Sequence, residues 1–255
     1  MKKATVKDIY GFLDEMAPFR NQESWDNSGF LVGDPEKTVE KIAVALDVTE
    51  DTLEKAAEWG ADLLVSHHPV IFNPIKNVLA GSPVYIALKH NISIISAHTS
   101  FDVAEGGVSD VLATITGLTE IEPLLSDENG VALMRKGRLR KRIQAKDFAE
   151  IVSCALDTVV RVSLPEKEIE TVAVCGGAGA SLLPEIRNEG IDAFLTGDGK
   201  HNDFLDATEM GISLLAAGHY ETETVAMPVL KNLLKQEFPE IEYLYIESPP
   251  LIYIG

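Results

Sequence analysis

Four of the six histidines stand where apolar segments end, and two of these four are adjacent. His67 and His68 end the segment ADLLVSHH, while His98 and His219 end the segments ISIISAH and ISLLAAGH. Loops at the carboxyl ends of strands in open α/β sheets carry ligand sites. A single strand-end histidine would more often be structural, but four of six in this position predict a functional site.

Two carboxylates accompany these histidines. Asp102 follows His98 by four residues in a loop, and Glu223 follows His219 by four at the start of a predicted helix. The spacing places His219 and Glu223 on one helix face, where imidazole and carboxylate can chelate a divalent metal such as Zn, Fe, Mn, Co or Ni. An isolated HxxxE is more often a surface pair, and its place after an apolar segment favours the metal interpretation.

The candidate ligands are too many for one ion that must also accept a substrate. We therefore predict two divalent cations per chain, bound by His67, His68, Asp102, His219 and Glu223. Two ions about 3.5–4 Å apart would share these ligands, leave positions for water and lower the pKa of that water. If the strand ends before the histidine pair, the two rings can diverge from one corner toward different ions.

Two further histidines are predicted to assist rather than to bind metal. His98 and His201 are candidates for catalytic proton transfer or for hydrogen bonds to the ligands. For His98 a direct ligand role remains the alternative.

The segments that position these residues alternate between strand-like and helix-like patterns. Thr5 and Thr49 are predicted N-caps, and Gly60 ends the second helix. The alternation predicts an α/β fold with mainly parallel or mixed sheets. It pauses at a basic stretch, residues 124–142, and then restarts, which predicts domains 1–124 and 125–255. As an alternative, the C-terminal segment that carries metal ligands packs with the first domain.

Composition excludes several classes of protein. The formal net charge of -18 disfavours binding to nucleic acid or to an anionic membrane surface. The first residues lack the apolar core of a signal peptide, and no apolar run approaches about 18 residues, so we expect neither a secretory signal nor a membrane helix. Cys154 and Cys175 lack CxxC spacing and are predicted to be buried and unpaired, which indicates a cytoplasmic protein. The basic stretch is interpreted as a solvated hairpin or domain joint, with an anion-recruiting rim as the alternative.

Two glycine-containing motifs resemble phosphate-binding loops in part. CGGAGAS, residues 175–181, is either a phosphate cradle or a tight turn that needs positive φ. TGDGKHND lacks the first glycine of a P-loop and has His201 where Ser or Thr is required, so an NTPase is rejected. The chain has no GxSxG elbow to support a serine hydrolase.

Five ordered motifs resemble the Nif-three-like family, whose bacterial members are often called GTP cyclohydrolase type-two homologues. They are WDNSGFLVGD, SHHPVIF, SAHTSFD, LTGDGKHND and AAGHYETE. The resemblance implies a dinuclear metal centre in the cleft between two α/β domains, the same five ligands and a toroidal homohexamer. This chain departs from the family pattern at two places. The usual HTNLD is HTSFD here, with Ser100 and Phe101. The family usually has a histidine at the position that aligns with Asn202, whereas in this chain the histidine is His201, one residue earlier.

Three functions are compatible with these patterns. The leading hypothesis is a dinuclear metal-dependent hydrolase of a nucleotide or similar small molecule, GTP cyclohydrolase-like by resemblance. The second is a non-catalytic metal-binding, metal-delivery or regulatory hexamer. The third, a protein-partner adaptor, rests on family naming and on an acidic surface that could attract a basic partner.

Overall fold

The computed structural model describes residues 3–128 and 130–247, and within these it contains strands and helices in the predicted alternation. The strands are β1 (Gly29–Val32), β2 (Lys41–Ala45), β3 (Leu63–Ser66), β4 (Ser93–Ser96), β5 (Thr119–Ser126), β6 (Ala132–Gln144), β7 (Arg161–Val162), β8 (Glu168–Cys175), β9 (Ala193–Thr196), β10 (Ser213–Ala216) and β11 (Glu242–Ile246). The helices are α1 (Val6–Met16), α2 (Glu50–Trp59), α3 (Pro83–Lys89), α4 (Thr99–Val103), α5 (Val108–Ile115), α6 (Ala145–Leu156), α7 (His201–Met210), α8 (His219–Thr224) and α9 (Met227–Glu237).

The first sheet has the strand order β1-β4-β3-β2-β11. Strands β4, β3, β2 and β11 are parallel, and β1 is antiparallel to β4 at one edge. Every residue of β3 and β4 is buried, as expected for parallel strands covered on both faces. A core cluster that includes Leu53, Ala56 and Ile86 packs helices α2 and α3 on this sheet.

The second sheet has the order β5-β6-β8-β9-β10-β7 and is mixed. Its centre, β8-β9-β10, is parallel, while β5, β6 and β7 are antiparallel to their neighbours. Phe148 of α6 and Leu112 of α5 are buried in one core cluster, and Phe194 and Ala207 are buried in another. The predicted α/β class with mainly parallel or mixed sheets is confirmed.

The caps read from the sequence form as predicted. The Thr5 side chain accepts from the Asp8 amide while the Asp8 carboxylate accepts from the Thr5 amide, which completes a capping box. The Thr49 hydroxyl accepts from the Thr52 amide at the start of α2. Gly60 ends that helix with φ of 81°, a left-handed conformation that costs glycine little.

Two helix predictions are wrong, and proline explains both. Segment 181–190, predicted as a helix, is a 3₁₀ turn followed by successive turns, because Pro184 has no N–H to continue a helical ladder. The single helix predicted from Glu221 to Phe238 is divided into α8 and α9, with Pro228 in the first turn of α9, where its missing N–H is tolerated.

The basic stretch forms the antiparallel pair β5 and β6, and one of its arginines is buried. Arg138 and Arg142 are exposed and pair with Glu170, in keeping with a solvated hairpin. Arg135 is only 5% exposed; its Nε donates to Asp110 at 2.9 Å, and its Nη atoms donate to backbone carbonyls of α4, β6 and the adjoining loop. Arg135 is therefore a structural residue inside its unit.

The chain divides into two compact units at positions that differ from the predicted boundary. One unit comprises the described residues up to Phe101 and from Met227 onward, and the other is Asp102–Ala226. The C-terminal segment returns to the first sheet because β11 pairs with β2. The ligand segment of His219 and Glu223 remains in the second unit. Across residues 3–128 and 130–247, no helix has the length and apolarity to cross a membrane.

Candidate metal centre

The adjacent histidines lie just past the end of β3, and their rings turn to different acceptors. The His67 and His68 amides donate to the carbonyls of Ala45 and Leu46, so both backbones stay fixed beside β2. The Nδ1 atom of His67 is 2.9 Å from the Ala97 carbonyl, and that of His68 is 2.7 Å from a carboxylate oxygen of Asp47. The predicted divergence from one corner is observed within the first unit.

His98 follows β4 and is held by a buried carboxylate. Its Nδ1 lies 2.8 Å from Asp26 Oδ1, and the other Asp26 oxygen accepts from Thr99 and Ser28. Burial alone would raise the pKa of Asp26, but hydrogen bonds from His98, Thr99 and Ser28 outweigh it and hold that pKa well below its ordinary value. The ionised Asp26 fixes the orientation of the His98 ring.

These three rings form one group of potential ligands in the first unit. Each of His67, His68 and His98 offers a nitrogen, and these nitrogens lie within 4.8 Å of one another. A carbonyl only accepts, so Nδ1 of His67 carries the hydrogen and the neutral ring has its lone pair on Nε2. The carboxylates favour the same tautomer for His68 and His98. This is the arrangement in which metal-binding histidines are normally supported.

The second unit contributes a histidine between two carboxylates. Nε2 of His219, the first residue of α8, is 3.2 Å from Glu223 Oε1, and Nδ1 is 2.7 Å from Asp198 Oδ2. The hydrogen bond to Glu223, together with that to Asp198 and the charges of both, raises the pKa of His219 to about 9 against the opposing effect of burial. This location favours a positive charge, as a metal-ion site must. The predicted shared face of His219 and Glu223 is present.

Asp102 completes the ligand-type residues of the second unit. It lies on α4, and one of its carboxylate oxygens is within 4.8 Å of one of Glu223, which is only 3% exposed. Two carboxylates this close, one of them buried and the other half-buried, favour a bound proton or cation between them. The oxygen and nitrogen donors of this unit therefore fit a divalent metal.

The glycine-rich loop after β8 packs directly against these ligands. Gly177 has φ of 61°, and a Cβ there would lie 2.1 Å from Glu223 Oε1 and 3.3 Å from His219 Nε2. Its amide donates to the Thr222 hydroxyl at 3.1 Å. For CGGAGAS the sequence left open a phosphate cradle or a tight turn that needs positive φ. The structure has the turn, with positive φ at Gly177.

The remaining expectations have mixed outcomes. His201 and Asn202 are exposed at the start of α7, and within the described part of the chain His201 belongs to none of the groups of potential ligand atoms. Ser100 and Phe101, the departures from the family pattern, are fully buried.

Both cysteines are free, as predicted. Cys154 was predicted to be buried but is exposed, because it lies on the solvent side of the amphipathic helix α6.

Three acceptors that orient the histidines were missed from the sequence. Asp47 and Asp198 each follow the end of a strand, β2 and β9, by two residues, and Asp26 lies in the quoted motif WDNSGFLVGD. Acidic residues just past strand ends were the available signal. Their pairing with particular rings depends on contacts between distant segments, which one sequence does not reveal.

Comparisons with known proteins agree with the motif resemblance. The family model described as Duf34/NIF3 (NGG1p interacting factor 3) matches residues 4–250. A protein named GTP cyclohydrolase 1 type 2 homolog from Clostridium acetobutylicum is 30% identical over 239 residues, covering 90% of this chain and 89% of that one. A protein of the same name from Streptomyces coelicolor is 35% identical over 231 residues, covering 86% and 81%.

Solved structures of similar sequence share the fold. The Staphylococcus aureus hypothetical protein SA1388 matches with a TM-score of 0.91 at 27% identity, covering 99% of this chain and 100% of that one. Reduced HcgD from Methanocaldococcus jannaschii matches with a TM-score of 0.81 at 28% identity, covering 95% and 97%.

Proposed function

Because this chain belongs to the Duf34/NIF3 family, we propose that it is a metal-dependent hydrolase of a nucleotide or similar small molecule. One observation carries the proposal. Each of the four strand-end histidines has its Nδ1 beside a carboxylate or carbonyl oxygen, the contact that orients the rings of metal-binding histidines. Such support is what a metal site requires and what an ordinary surface histidine lacks.

Five residues are proposed to hold two divalent cations per chain: His67, His68, Asp102, His219 and Glu223. These residues combine imidazole and carboxylate ligands, a mixed set that suits Zn, Fe, Mn, Co or Ni. When bound, the ions supply Lewis-acid chemistry that polarises a substrate oxygen and acidifies water. Asp47 and Asp198 keep the ligand rings of His68 and His219 in the binding orientation.

His98 is proposed to move the proton. Its Nδ1–H donates to Asp26, so Nε2 is the atom that can accept a proton from the attacking group and later return it to the leaving group. The ionised Asp26 stabilises the imidazolium while it carries that proton. For His201 we also propose proton transfer. His201 is exposed and is not among the proposed ligands, so it would exchange protons with solvent.

The test starts from the natively purified protein. Its bound metals are measured, the same metal is restored, and hydrolysis is screened on GTP, other nucleotides, phosphoesters and cyclic amides. GTP comes first because relatives carry the name GTP cyclohydrolase 1 type 2 homolog. We expect turnover that chelation removes and that His98→Ala abolishes while metal content stays constant. Full metal occupancy with no turnover across the panel would contradict the proposal.

The histidine group also supports a second candidate function, a non-catalytic metal-binding or metal-delivery protein. The ligand nitrogen of His98 lies within 4.8 Å of those of His67 and His68, as a third imidazole ligand would. In that case His98→Ala lowers the metal content itself. The same variant therefore separates the enzyme from the carrier. For either function we propose a cytoplasmic homohexamer.

A further inference from the structure

Two large aromatic side chains are stacked on the surface of the first unit. The rings of Trp25 and Phe72 have centroids 5.8 Å apart and an interplanar angle of 17°. Trp25 is 56% exposed and Phe72 is 43% exposed, so the pair buries only part of its area. Contiguous exposed apolar surface is a feature of ligand-binding grooves and interaction sites.

The pair stands directly beside the histidine group. His98 makes edge contacts with both rings, at centroid distances of 5.8 Å to Trp25 and 5.7 Å to Phe72. One of its ring nitrogens lies within 4.8 Å of ring nitrogens of His67 and His68. A ring stacked on the outer face of the aromatic pair would therefore have its edge close to the proposed reaction centre.

Hydrogen bonds hold the two aromatic residues in place. Trp25 precedes Asp26, whose carboxylate binds His98 and Thr99. Phe72 follows Ile71, whose carbonyl accepts from Asn27 Nδ2 at 2.6 Å. These hydrogen bonds hold the two loops to each other and to the histidine group. None of these bonds involves the outer faces of the rings. Those faces remain available to a ligand.

We propose that Trp25 and Phe72 form a stacking platform for a planar heterocyclic ring of the substrate, such as a purine. This inference rests on the proposed function and narrows its substrate class. Stacking on an aromatic face needs no positive charge, which suits a chain with a formal net charge of -18. Every nucleobase offers a π face, so the platform selects for a ring rather than for one base.

Tryptophan fluorescence tests the platform directly, because the chain has two tryptophans. Trp59 on α2 is changed to Phe, which leaves Trp25 as the reporter. Guanosine 5′-monophosphate is added to the metal-loaded protein, and ribose 5-phosphate serves as the matched probe without a ring. We expect saturable quenching by the nucleotide and none by the sugar phosphate.

Variants then separate stacking from general effects. Trp25→Leu and Phe72→Leu are each expected to weaken binding of the nucleotide, measured by calorimetry, by about tenfold or more, with metal content unchanged. The matched control is Tyr85→Leu, which removes another exposed aromatic ring of the same unit, 40% exposed, and is expected to leave affinity unchanged.

Several results would overturn the platform. Equal nucleotide affinity in Trp25→Leu, or no nucleotide binding to the metal-loaded protein up to millimolar concentrations, would do so. In either case, metal-dependent hydrolysis of a substrate without a ring would leave the proposed function standing. If the leucine variants change only the oligomeric mass, the pair is instead a contact between copies of the chain.

Discussion

The Nδ1 atoms of the strand-end histidines show how single residues prepare this site. His68 and His219 use carboxylates from just past neighbouring strands, and His67 uses a backbone carbonyl. An acceptor on Nδ1 fixes both the tautomer and the ring direction before a metal arrives. The acceptors therefore contribute to metal affinity although they are not proposed as ligands.

Replacing an acceptor is expected to weaken metal binding without unfolding the protein. In Asp47→Ala, His68 loses its partner at 2.7 Å, and metal affinity should fall by about 10–100-fold. Competition with a chelator of known affinity measures the change. Asp51→Ala, which removes an exposed carboxylate of α2 that pairs with Lys55, is the matched control and should bind metal normally. Equal affinities would show that orientation of His68 is unimportant.

The two thiols are expected to differ strongly in reactivity. Burial, with the charges of Asp102 and Glu223, raises the pKa of Cys175 to about 12. A raised thiol pKa means that little thiolate forms near neutral pH, while Cys154 is exposed on α6. Timed alkylation followed by mass spectrometry should label Cys154 first, and Cys154→Ser should remove the fast phase. Equal labelling rates at both positions would contradict this assignment.

At the scale of elements, most helices and strands were predictable because their signals are local. Thr5, Thr49 and Gly60 each act through residues within a turn, and the buried strands are continuous apolar runs. The helix predictions failed at Pro184 and Pro228, where a local signal was present but was outweighed by the apolar pattern around it. The burial of Arg135 could not be predicted from the sequence, because its hydrogen-bond acceptors Asp110 and Val103 lie on distant segments.

The glycine loop offers a test of close packing against the ligands. Gly177→Ala and Gly190→Ala both place alanine at positive φ, 61° and 69°, which should lower the free energy of unfolding by about 1–2 kcal/mol. Only at Gly177 would the new Cβ meet Glu223, since nothing lies within 4 Å at Gly190. Gly177→Ala should therefore also weaken metal binding. Unchanged metal affinity in Gly177→Ala would argue against this contact.

The buried arginine of β6 should matter more to stability than its neighbour does. Arg135→Met removes the charge partner of the half-buried Asp110 and the donors to several backbone carbonyls, and it should lower the free energy of unfolding by about 3–5 kcal/mol. Lys136→Met on the same strand removes a more exposed ion pair with Glu122 and should cost less than about 1 kcal/mol. Urea denaturation measures both. Similar losses would show that burial of Arg135 is not decisive.

At the scale of the whole molecule, we expect six chains to assemble. The expectation comes from the family resemblance, and exposed apolar side chains between β3 and the end of α3, Ile75, Val78, Leu79 and Leu88, are candidates for burial on assembly. Sedimentation equilibrium should give six times the chain mass. Leu79→Glu should reduce that mass, whereas Val159→Glu, at an equally exposed residue of the second unit, serves as its comparison. A monomeric wild-type protein would contradict the assembly.

The proposal on which the proposed function depends is that His67, His68, Asp102, His219 and Glu223 hold two divalent cations per chain. Elemental analysis of the purified protein and of the variants His67→Ala and Glu223→Ala measures the number of metal ions per chain and so tests this proposal. We expect two divalent ions per wild-type chain and a loss of metal in both His67→Ala and Glu223→Ala. A metal-free wild type under metal-replete conditions, or full occupancy in both variants, would contradict it.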